Sequence, residues 1–104
     1  MKQVAFKMKL LAGNEEEYLR RHQEIWPKLS KLLKENGISD YAIFLDSDTL
    51  DLFAVQKLDM NFNEERLKLD PIMKEWWDYM KDLMETNTDN SPKSSPLKQV
   101  FYLP

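Results

Sequence analysis

No cysteine occurs among the 104 residues of this chain, and histidine occurs once. The first absence excludes disulfides, thiolate metal sites and cysteine nucleophiles together, and the second excludes a multi-histidine metal site within one chain. Charge of one sign is also scarce. Fifteen Lys and Arg stand against eighteen Asp and Glu, for a net charge of -3 with the signs interleaved, so there is no basic stripe to hold a nucleic acid. Long apolar runs are missing too. The first eleven residues are interrupted by Lys7 and Lys9, and nothing approaches the roughly 20 apolar residues of a membrane span. A cytoplasmic protein with no membrane partner is expected. A hydrophobic content of 42% and a charged content of 32% describe one globular domain over residues 1–104. At this size a chain buries roughly 60 to 68% of its unfolded surface, so a second copy would add to its stability.

What is present is patterned. From Gln3 to Leu11 apolar residues (Val4, Phe6, Met8, Leu10) alternate with Lys7 and Lys9, as in a strand with one wet face. Gly13-Asn14 turns the chain, and Asn14 followed by Glu17 predicts a capping box, with residues 15 to 17 acidic in the first helical turn. The apolar stripe then reads Tyr18, His22, Ile25, Leu29, Leu32, Leu33. Pro27 removes a backbone hydrogen bond and disfavours helical angles at Trp26, which predicts a kink or two short helices meeting there. Asn36-Gly37 ends the helix. Strands are expected over Tyr41 to Asp46 and Leu50 to Leu58, a short helix over Asn63 to Leu69, and a longer one from Pro71 to about Met84. A polar, proline-bearing loop follows from Thr86 to Leu97, then a last strand over Gln99 to Leu103. The order β-α-β-β-α-β predicts an α+β, ferredoxin-like subunit with helices on one face of an antiparallel sheet.

Apolar residues fall on both faces of the central strands: Ile43 and Leu45 against Phe44, and Leu52 and Ala54 against Phe53 and Val55. The face away from the helices needs a cover. A second copy of the same sheet in a two-fold dimer is the simplest one.

Two clusters stand out as candidate chemistry. Helical spacing sets Tyr18, His22 and Trp26 on one face, as phenol, imidazole and indole flooring a small pocket. Imidazole, with an unperturbed pKa of about 6.5, both takes and gives protons near neutral pH. The other cluster is Trp76-Trp77 with Tyr79. Adjacent helical residues point about 100° apart, so both tryptophans cannot face one core, and one needs an interface or a ligand pocket. Glu15, Glu16, Arg20 and Arg21 read as a solvated helix face, and Asp46 and Asn90 as turn chemistry.

Five blocks in order resemble the L-rhamnose mutarotase family: Glu17-Tyr18-Leu19-Arg20-Arg21-His22 with Ile25-Trp26-Pro27, Tyr41 to Asp46, Trp76 to Met80, Asn90-Ser91-Pro92, and Val100 to Pro104. The resemblance covers nearly the whole chain. It departs at Leu67, where the family pattern has a tryptophan after the Glu-Arg pair. The resemblance implies a dimeric α+β barrel of ferredoxin-like subunits and a cofactor-independent isomerase that interconverts the α and β anomers of the sugar L-rhamnose. Its catalytic histidine falls on His22, and the chemistry of ring opening assigns that imidazole as proton donor and acceptor toward the ring oxygen, with Tyr18, a water or a backbone group as the complementary partner. Its sugar contacts fall on Tyr18, Tyr41, Trp76 and Trp77, with no metal. Two other readings of the same architecture are a small monooxygenase acting on haem or a polyketide, and a non-catalytic ligand sensor.

Overall fold

A computed structural model describes residues 1–104. It has four strands, β1 (Lys2–Lys9), β2 (Ile38–Leu45), β3 (Asp51–Leu58) and β4 (Ser95–Leu97), and four helices, α1 (Glu15–Gln23), α2 (Pro27–Glu35), α3 (Glu64–Leu69) and α4 (Pro71–Met80). All strand pairs are antiparallel and their order across the sheet is β2-β3-β1-β4. This is the split β-α-β-β-α-β arrangement expected from the element order. No helix is long and apolar enough to cross a membrane.

Local chemistry explains the helix boundaries. Trp26 is extended (φ -61°, ψ 128°), as a residue before proline should be, and Pro27 opens α2 as its first residue. The helical stripe therefore divides into α1 and α2 at that point. Gly37 ends α2 with φ 86°, and a Cβ there would collide with the Asp59 carboxylate. Asn63 caps α3 by accepting from the Arg66 amide at 3.0 Å, and Asp70 caps α4 by accepting from Ile72 at 2.9 Å. The core lies between the sheet and the helices, with Leu10, Leu29 and Leu52 fully enclosed and Met8, Ala54, Met73, Trp76 and Met80 around them.

Four expectations need correcting. The capping box does not form. Asn14 instead donates to the Leu11 carbonyl at 3.3 Å, and Glu17 is held by Arg20 and Arg21, whose charged bonds at 2.6 and 2.7 Å outcompete a reach back to the cap. Strand β2 begins at Ile38 rather than Tyr41, through a bulge. Helix α4 stops at Met80 rather than Met84, because the following backbone joins the end of β1: Leu11 donates to the Leu83 carbonyl at 2.9 Å and Glu85 to the Lys9 carbonyl at 3.0 Å. The last strand is Ser95–Leu97, not Gln99 to Leu103. Leu97 pairs with Ala5, so two more residues in that register would reach Gln3 and four would run past the end of β1. Residues 98–104 form no strand, 101–104 lie beyond the end of β1 in that register, and Phe101 is 77% exposed.

Candidate active site

The site is built from three elements that meet under the sheet. Helix α1 contributes Tyr18 and His22, one turn apart, with ring centroids 4.4 Å apart and planes inclined at 33°. Helix α4 contributes Trp76, which meets His22 edge-on at 5.5 Å and 89°, and Trp77 beside it. Strand β2 contributes Tyr41 from the opposite wall. These five side chains, predicted from positions up to 59 residues apart, line one inner cavity of about 70 Å³. Met8, Ile43, Met73, Met80 and Met84 complete its apolar wall. The cavity opens into a wider cleft of about 1620 Å³ between sheet and helices, which the same five residues also border. A cleft so large exceeds the roughly 300 to 1,000 Å³ of an ordinary small-ligand pocket, so the convergence of aromatic and titratable groups defines the site better than the open volume does.

Trp26 is not part of that floor. Lying beyond the end of α1, it packs behind Trp76 at 5.1 Å and 87° and against Tyr79 at 5.5 Å. The stacking of Tyr18, His22 and Trp26 expected from a continuous helix fails because Pro27 breaks the helix before Trp26 can join it.

Two residues read from sequence as bland have more to do. Arg21 is not solvated: its side chain is 12% exposed, its guanidinium lies 4.3 Å from the Tyr79 ring centroid, and it donates to the Tyr79 carbonyl at 2.5 Å. It thereby ties α1 to the end of α4 and fixes the distance between His22 and Trp76. No local signal marks it, because its partner is 58 residues away. Asn90 does have a turn conformation, with φ 70°, yet it also lines the inner cavity with Thr86 and Pro92. The late loop thus folds over its own chain's pocket, held by the Asn87 amide donating to the Ser91 carbonyl at 2.8 Å. Asp46 is turn chemistry as expected, accepting from the Asp48 and Thr49 amides.

Electrostatics set the protonation states. His22 Nδ1 lies 3.0 Å from the Tyr18 carbonyl oxygen, which can only accept, so Nδ1 carries the hydrogen and Nε2 holds the free lone pair of the neutral ring. Burial pulls the His22 pKa below 6.5, opposed by that backbone bond. Near pH 7 the imidazole is therefore neutral. Burial pushes the Tyr18 phenol well above its ordinary value, with the facing Tyr41 adding to the effect, and pushes Tyr41 up to about 12. Both phenols therefore stay protonated near pH 7. No cluster of three or more His, Cys, Asp or Glu side chains stands close enough to hold a metal ion.

Known proteins similar to this chain come from a single family. A family model described as L-rhamnose mutarotase matches residues 3–103. The L-rhamnose mutarotase of Flavobacterium johnsoniae is 54% identical over 99 residues, covering 95% of this chain and 92% of the relative. That of Bacteroides thetaiotaomicron is 50% identical over 103 residues and covers 99% of each. The crystal structure of L-rhamnose mutarotase from Formosa agariphila superposes with a TM-score of 0.93 at 47% identity, over the whole of both chains. This chain belongs to the L-rhamnose mutarotase family.

Proposed function

We propose that the inner cavity interconverts the α and β anomers of L-rhamnose by opening and reclosing the pyranose ring, within one mutarotase domain spanning residues 1–104. The observation that carries this reading is the convergence of Tyr18, His22, Tyr41, Trp76 and Trp77 on one small cavity. Ring opening needs the anomeric hydroxyl to lose a proton, the bond from the anomeric carbon to the ring oxygen to break, and the ring oxygen to gain a proton. A neutral imidazole with a free Nε2 starts as an acceptor. We therefore set His22 against the anomeric hydroxyl rather than the ring oxygen, with the ring oxygen taking its proton from a phenol or a water. Rotation about the bond between the first two carbons and reversal of both transfers gives the other anomer. The tryptophan faces suit the C–H face of a sugar, and the methyl group of a 6-deoxy sugar suits the methionine wall. The chemistry asks for no cofactor, since acid–base catalysis contributes about 10² to 10⁴-fold and placement adds to it.

The test is NMR exchange between the two anomeric proton signals of L-rhamnose across pH. Acceleration at neutral pH is expected, with kcat/KM falling on the acid side through a midpoint below 6.5. The sign follows from the base form being active and the folded pKa being depressed. An exchange rate equal to that of buffer sinks the reading.

A second copy belongs to the same proposal. Only 15 of the 104 residues are buried, and the sheet face away from the helices leaves Phe44 63% exposed, near Phe53 and Val55. Burying such a face against its two-fold mate follows the general behaviour of two-faced sheets. Sedimentation should give a dimer at micromolar concentration and a monomer for Phe44→Glu. A monomeric wild type would overturn the homodimer.

A further inference from the structure

Strand β3 carries one polar side chain on its buried face, Gln56, which is only 9% exposed and borders the cleft. Its neighbours on that face, Leu52 and Ala54, are apolar and fully packed. An amide in such a position needs a partner, since an unmet buried polar group costs about 1 to 3 kcal/mol. The chain supplies one by an irregularity in β2. Ile38 and Ser39 pair with Leu58 and Lys57, whereas Ala42 to Leu45 pair with Val55 to Leu52, so one residue is inserted between the two registers. Asp40 absorbs the insertion with φ 46°, a left-handed conformation that a non-glycine residue seldom adopts. Continuing the second register places Tyr41 across from Gln56 on the inner face. There the two side chains stand opposite each other and both border the cleft, and Gln56 lowers the phenol's pKa against the rise that burial causes, the sense expected of an amide N–H beside the phenol oxygen.

We propose that Gln56 is a positioning residue: its carboxamide donates to the Tyr41 hydroxyl oxygen, leaving the phenol hydrogen directed at an oxygen of the bound sugar. A phenol has one hydrogen and two lone pairs. Once a lone pair is occupied by an amide donor, rotation of the hydroxyl is restricted and the hydrogen faces the cavity. The bulge brings Tyr41 into reach of Gln56, and Gln56 sets the direction of its bond. The inference rests on the sugar-site reading above for its consequence, but the Gln56–Tyr41 coupling is measurable without sugar.

The experiment compares wild type, Gln56→Leu, Tyr41→Phe and the double variant. In sugar-free protein labelled at the tyrosine ¹³Cζ, the resonance absent from Tyr41→Phe should move in Gln56→Leu, while the Tyr79 and Tyr102 signals stay. An unmoved Tyr41 resonance overturns the proposal whatever the activity. In anomer exchange, Gln56→Leu should raise KM by about 3- to 10-fold with kcat nearly kept, the value of one hydrogen bond. In the Tyr41→Phe background the same change should cost less than about 2-fold. Equal losses in both backgrounds mean that Gln56 acts independently of Tyr41 and overturn the proposal. A wild type without activity but with the shifted resonance fails the sugar reading alone.

Discussion

His22→Ala is expected to slow catalysed anomer exchange by about 10² to 10⁴-fold, the range that one positioned acid–base group supplies. The expectation follows from the isolation of the ring. Nδ1 is committed to the Tyr18 carbonyl, Nε2 is free, and no second histidine exists to substitute for it. The two phenols of the cavity are held protonated by burial and cannot act as the base near pH 7. The fold should survive, because the loss is one edge contact with Trp76, one tilted ring contact with Tyr18 and the Nδ1 bond to the Tyr18 carbonyl, each worth about 0.5 to 1.5 kcal/mol. His22→Asn refines the test. Its amide nitrogen, bonded to Cγ as Nδ1 is, keeps a donor toward the Tyr18 carbonyl but does not titrate, so the rate should fall comparably and the acid limb should vanish from what remains. Thermal unfolding and L-rhamnose affinity measured on the same proteins separate chemistry from collapse. A folded His22→Ala variant with full activity would remove His22 from the mechanism.

The parts of this site legible in sequence are those governed by short-range rules. Tyr18 and His22 share a face because helical spacing puts them there, and Pro27 announces a break because proline constrains its predecessor. The cost of the break to Trp26 was visible in the same rule, yet four-residue spacing suggested a stack that the extended Trp26 backbone forbids. The resemblance supplied Tyr41 as a site residue and favoured a sugar pocket over an interface for the tandem tryptophans that helical geometry marks, and their convergence on the cavity could not have come from spacing alone, since it depends on the sheet packing onto α1 and α4. Arg21 was illegible for a similar reason: a charge on a helix looks solvated until the aromatic ring that covers it arrives from another helix. The bulge at Asp40 was hidden because it breaks the period-two alternation by which strands are recognised, and β2 therefore seemed to begin three residues late. At the C-terminus the β-branched and aromatic run Val100 to Leu103 is strand-like in composition, but pairing depends on where β1 ends. The two-faced sheet and the apolar tail both leave large hydrophobic side chains uncovered in one copy, and on the sheet that exposure is what the proposed homodimer rests on.

The adjacent tryptophans should separate under mutation into a structural and a binding role. Trp76 is 7% exposed and meets His22, Trp26 and Tyr79 within 5.6 Å, so it joins α1, the α1–α2 junction and its own helix into one aromatic cluster. Trp76→Ala would leave a cavity at that junction, and buried tryptophan truncations cost about 3 to 5 kcal/mol. For a domain of this size each kcal/mol lowers Tm by about 4 to 8 °C, so a drop of more than about 10 °C is expected. Trp77 lies about 100° further round the helix, is half-buried and borders the cavity without joining that cluster. Trp77→Ala should therefore lower Tm by much less while raising KM for L-rhamnose, because what it removes is a wall for the sugar rather than a support for the helices. Differential scanning calorimetry and exchange NMR on the two variants decide the matter. If Trp77→Ala proves as destabilising as Trp76→Ala and leaves KM unchanged, both rings belong to the core and the sugar wall must lie elsewhere.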